Sequence, residues 1–99
     1  MPHFLVEYQD LGQAQIREER RPEHVAYRKG LGAALLLAGP ILDDSERAIG
    51  SLVILDVADL VAAQDIAARD PYVVHGAMRV CSVRRYRVAA MQPPRSASG

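Results

Sequence analysis

Ile49-Gly50-Ser51-Leu52-Val53-Ile54-Leu55-Asp56-Val57 carries an unbroken apolar run from Leu52 to Leu55. Successive side chains of a strand point to opposite faces, so such a run reads as a central strand covered on both sides. The chain's own helices can cover one face. A second copy of the chain is the economical cover for the other, which predicts a homodimer packed sheet against sheet.

Working upstream, Leu35 to Leu42 reads as a strand bent at Gly39-Pro40, and proline within a sheet implies an edge or a bulge. Asp43-Asp44-Ser45-Glu46 forms the polar turn that joins the two strands as a hairpin. Downstream, Asp59 is a suitable N-cap for a helix that turns Leu60, Ala63, Ile66 and Ala67 inward and Gln64, Asp65 and Arg69 outward. That helix stops before Asp70-Pro71, because a residue preceding proline avoids helical geometry. Met78 to Ala89, rich in valine, tyrosine and arginine, supplies the last strand. At the other end, Phe4 to Tyr8 reads as the first strand, and Gln9 to Arg20 is polar, a loop or frayed helix. Pro22 followed by Glu23 is a helix-start signal and predicts a helix over 22–33, weakened at its end by Gly30 and Gly32.

The order strand, helix, strand, strand, helix, strand predicts an α+β, ferredoxin-like βαββαβ domain with a four-stranded antiparallel sheet and its helices on one face. Residues 1–91 form that single domain, and Gln92 to Gly99 has too little apolar content to pack and is expected to be a disordered tail.

Of 99 residues, 49% are hydrophobic, and 12 basic residues balance 12 acidic ones. No net field is left to recruit nucleic acid or an anionic membrane. Arg84-Arg85-Tyr86-Arg87, the basic cluster with an aromatic inside it, reads as a solvated or intersubunit salt-bridging segment. The single cysteine, Cys81, excludes an internal disulfide, fits a cytoplasmic location, and reads as a small buried hydrophobe. The N-terminus has no apolar core of a signal peptide, and no apolar run approaches membrane-spanning length. His3 and His75 follow no metal-ligand spacing, no glycine-rich phosphate loop exists, and one phenylalanine with no tryptophan makes a poor haem pocket. No metal or cofactor is expected.

Two residues able to handle protons stand out, His24 in Arg21-Pro22-Glu23-His24-Val25-Ala26-Tyr27 and Asp70 in Asp70-Pro71-Tyr72. A carboxylate beside an imidazole holds one tautomer and makes a better base, the arrangement of general acid-base catalysis; a structural hydrogen bond is the alternative. Starting the helix at Pro22 puts His24 in the first turn, where the helix dipole favours neutral imidazole while Asp70 favours the charged form.

These stretches, together with Leu36-Leu37-Ala38-Gly39-Pro40-Ile41-Leu42-Asp43-Asp44 and Gly50-Ser51, occur in an order that resembles the YciI-like (YCII) family of the dimeric α+β barrel superfamily, over about residues 3 to 88. The resemblance implies a ferredoxin-like subunit, a dimer, and a site at His24 and Asp70. Arg21, Tyr27, Gly39, Pro40, Ser51 and Tyr72 are candidates to contact the substrate. Enzymes of the wider superfamily act on small, often aromatic or lactone-like molecules. The expected function is therefore a cofactor-independent enzyme of lyase, isomerase or dehalogenase type, with His24 as acid or base and Asp70 as its orienter. The alternative is a non-catalytic dimeric module that binds a small ligand or a partner.

Overall fold

The computed structural model describes residues 1–92. The expected tail lies outside them apart from Gln92. Strand β1 (His3–Asp10) is followed by helix α1 (Ala14–Gly30), a 3-10 turn (Gly32–Ala34), β2 (Leu35–Leu42), β3 (Ala48–Asp56), α2 (Leu60–Ala68), the short helix α3 (Pro71–Val74) and β4 (Met78–Tyr86). The strands form one sheet in the order β2-β3-β1-β4, every neighbouring pair antiparallel. This is the expected α+β, ferredoxin-like arrangement, with the doubly apolar strand inside the sheet and the proline-bearing strand at its edge.

Alternation divides the sheet into two faces. Register places Phe4 opposite Leu55 and Val6 opposite Val53, and these side chains, with Ala63, Ala67, Tyr72, Ala77 and Met78, make the buried core under the helices. Leu5 and Ile54 pair on the opposite face, where no helix lies. Ile54 is buried yet stands outside that core cluster. Gly50 has a reason to be glycine: a Cβ there would stand 2.3 Å from the carbonyl oxygen of Tyr8 on β1.

Several boundaries differ from the expectation. Helix α1 begins at Ala14, so Pro22 lies inside it and not at its start. Gly12, at φ 75°, turns the chain out of β1 and donates its N–H to Asp10 Oδ1 at 2.7 Å. The first turns are then supported by polar side chains, Gln15 to Glu19 at 3.1 Å and Arg20 to Glu23 at 2.9 Å, which leave no apolar periodicity to read. His24 is consequently in the middle of the helix, and the dipole argument made for a first-turn position lapses, since that field fades within one turn of the terminus. Asp59 does cap α2, accepting from the Ala62 N–H at 2.8 Å. Leu60, expected to face inward, is 41% exposed. Strand β4 ends at Tyr86, short of Ala89. Cys81 is exposed and not buried, because the β1–β4 register jumps from Glu7↔Ser82 to Tyr8↔Val80 and leaves it the extra residue of a bulge.

Candidate functional site

The Asp70-Pro71-Tyr72 stretch works as a helix cap. Asp70 is the N-cap of α3, Pro71 takes the following position where no N–H is needed, and the Asp70 carboxylate accepts the Tyr72 N–H at 2.9 Å. Its remaining capacity turns toward α1. His24 Nδ1 donates to Oδ1 at 2.7 Å, and Arg28 Nε donates to Oδ2 at 3.2 Å. Asp70 is 1% exposed. Burial on its own would push this carboxyl's pKa up, but the hydrogen bonds from His24 and the Tyr72 N–H, with the charges of His24 and Arg28, outweigh burial and hold it below the ordinary aspartate value.

An ionised carboxylate only accepts, so the proton between the two residues belongs to His24 Nδ1, and in the neutral form of the ring the lone pair is on Nε2. The ring is also fixed in plane. It stacks on Tyr72 with centroids 3.9 Å apart and planes within 7°.

His24, Arg28 and Tyr72 line a cleft of about 200 Å³ with Asp10, Arg17, Ala38, Gly39, Pro40, Ala48, Gly50, Ser51 and Met78. The cleft opens between α1 and the β2–β3 hairpin. Ser51 ties its two walls, accepting from Arg28 Nη1 and donating to the Gly39 carbonyl, each at 3.3 Å. At the far end Arg17 Nη1 meets Asp10 Oδ2 at 2.6 Å. Under Arg28 lies Tyr8, whose ring centroid is 5.4 Å from the guanidinium carbon. Burial raises the Tyr8 phenol to about 12, and the nearby Arg28 charge only partly opposes it.

Of the residues picked out in the sequence, His24, Gly39, Pro40, Ser51 and Tyr72 meet at this cleft, with Asp70 directly behind His24. Tyr27 is turned elsewhere: its hydroxyl donates to the Ile66 carbonyl of α2 at 2.7 Å, and burial followed by the charges of Asp70 and Asp65 raises its pKa. Arg21, a candidate substrate contact, is exposed beside Ala14, Arg17 and Glu18 and does not line the cleft. Arg28 was missed in the sequence, although it stands four residues after His24 and therefore on the same helix face. Tyr8 carried no sequence signal beyond that of a core residue. Among the described residues, no group of three or more His, Cys, Asp or Glu side chains could hold a metal ion, and no helix is long and apolar enough to cross a membrane.

No curated protein matches the chain at a significant level. Among solved structures, the chain is similar to the 5-chloro-2-hydroxyhydroquinone dehydrochlorinase of Burkholderia phenoliruptrix, determined in complex with 2,5-dihydroxybenzoquinone. The two share 24% sequence identity over 87% of this chain and 92% of that one, with a TM-score of 0.68, a likeness of fold. The family model described as the YCII-related domain matches residues 1–87. Matched from its first residue through the whole of β4, the chain belongs to the YCII-related domain family.

Proposed function

We propose that the protein is a small enzyme in which His24 transfers protons to and from a small, ring-sized molecule held in the cleft, with Asp70 as the residue that positions it. The observation that carries this reading is the orientation of one imidazole. Nδ1 is committed to a buried, ionised carboxylate, the ring plane is fixed against Tyr72, and the ring lines a cleft. A histidine tied down in this way presents Nε2 as a base in its neutral form and as an acid once protonated. Abstracting an acidic proton from a hydroxylated ring, or protonating a leaving group, is the chemistry such a group performs. The dehydrochlorinase named above acts on a substituted hydroquinone, which makes chlorinated hydroxyhydroquinones the first substrates to try, followed by quinones and lactones.

His24→Ala is expected to reduce turnover of a substrate found in that panel by roughly 10²–10⁴-fold, the usual contribution of a positioned acid or base. Asp70→Asn should lower turnover while leaving the cleft in place. Unchanged turnover in His24→Ala would end the catalytic reading and leave the binding-module alternative.

The proposal includes a homodimer. Register puts Leu5, Leu52 and Ile54, and from β2 Leu37 and Ile41, on the sheet face that carries no helix, and Leu37 and Ile41 are exposed in the single chain. A second copy of the same face would cover them. Sedimentation of the wild type against Leu52→Glu tests this, with a shift from dimer to monomer expected.

A further inference from the structure

We infer that the cleft takes a ligand bearing an ionised oxygen on an unsaturated carbon, a carboxylate, enolate or phenolate, and that the Arg28 guanidinium is its anchor. This rests on reading the cleft as the ligand site.

The charges that face the cleft are unequal. Arg17 and Arg28 line it with His24, whereas Asp10 is the one carboxylate among the lining residues, since Asp70 lies buried behind the histidine. Asp10 is already engaged by Arg17 at 2.6 Å. The counter-ion of Arg28, Asp70, is buried and does not line the cleft, so the guanidinium is the charge that a molecule on that side meets first.

Arg28 is also under-used by the protein. A guanidinium has a fork of five N–H donors suited to planar oxyanions. Here Nε reaches Asp70 at 3.2 Å and Nη1 reaches Ser51 at 3.3 Å, both at the long end of the N–H···O range. Nη2 is enclosed and has no acceptor among the described residues. Leaving a buried charged donor unmet is costly, and an anionic oxygen that displaces the long Nη1–Ser51 contact and lets the guanidinium turn Nη2 toward the cleft would remove that cost. Arg28 is held by Asp70 below and the Tyr8 ring beneath its face, so it is positioned before any ligand arrives. An oxygen bound there sits one helical turn from His24, on the same face of α1. The group that holds the anion and the group that moves the proton thus belong to one rigid element.

The test uses benzoate and benzamide, which share a shape and differ in charge, titrated into wild-type protein while the ring resonances of His24 and Tyr72 are followed by NMR. Benzoate should bind at least about tenfold more tightly than benzamide. Arg28→Lys, which keeps a charge toward Asp70 but loses the fork, should erase that preference. Equal affinities in the wild type, no saturable shift of either ring with either probe, or a preference that survives in Arg28→Lys each overturns the inference. Should Arg28→Lys fail to fold, the wild-type comparison still decides. His24→Ala separates this inference from the catalytic reading. A benzoate preference retained there, alongside unchanged turnover, sinks acid-base catalysis and leaves the anion site standing; lost turnover without any benzoate preference does the reverse.

Discussion

Helix α2 spans 9 residues and buries Ala63 and Ala67 completely, whereas α1 spans 17 residues and buries none. The shorter helix is held by small apolar side chains that let it approach β1 and β4 closely. The longer one is moored through polar contacts, Arg17 to Asp10, His24 and Arg28 to Asp70, and Tyr27 to the Ile66 carbonyl, with Ile16 as its apolar foothold on the core. Apolar burial is indifferent to protonation; a charge network is not. The residues that serve the site are therefore the residues that dock the helix carrying it, and the chemistry of the cleft and the stability of α1 are one property.

The largest break in this contrast is expected from Asp70→Ala. It strands the Arg28 charge and removes the α3 cap, and losing one partner of a buried pair costs about 3–5 kcal/mol. Urea unfolding gives the total, and hydrogen exchange should show α1 amides losing protection ahead of those of α2. Acid should act in the same direction. Because the Asp70 pKa is lower in the folded than in the unfolded chain, its contribution is present above the unfolded aspartate value and lost as pH falls through the folded one. Loosening of α1 below about pH 4, absent in Asp70→Asn, is the result to look for by exchange or by the His24 ring signals. Next in size, Ala67→Leu overfills the α2 contact and should cost about 1–3 kcal/mol by urea midpoint while leaving acid sensitivity unchanged. Smallest, Tyr27→Phe removes one hydrogen bond between the two helices, worth about 0.5–1.5 kcal/mol. An Ala67→Leu protein that loses its α1 protection first, or a Tyr27→Phe change as large as that of Asp70→Ala, would dissolve the distinction between the helices.

The same contrast explains what could be read in the sequence. Wherever apolar patterning sets the structure it was legible: the central β3, the β2 edge with Pro40, the capped α2 and the strand order implied by them. Where polar contacts set it, the reading lost its signal. Gln9 to Arg20 reads as a loop or a frayed helix because its helix turns rest on glutamine, glutamate and arginine, and Pro22 reads as a beginning because so little apolar patterning precedes it. His24 and Asp70 were found because each stands in a stretch with a shape of its own. Arg28 was passed over because one more arginine in a charged helix looks like solvated surface, and only the burial supplied by Tyr8, Ser51 and Asp70 separates it from Arg21, seven positions earlier and fully outside. Cys81 shows the limit of alternation, since one bulge reverses the facing of a residue without leaving any mark in its composition.

Gly50 carries a consequence for anyone who wishes to redesign the pocket. The Tyr8 carbonyl occupies the space a side chain would need there, so the wall between β3 and β1 has a position where no library can explore. Ala38, Ala48 and Met78 line the same cleft and are the places where bulk can be added or removed to retune which molecule fits. Diversity placed on them reshapes the floor and rim, with the backbone at Gly50 serving as the fixed reference from which every variant is measured.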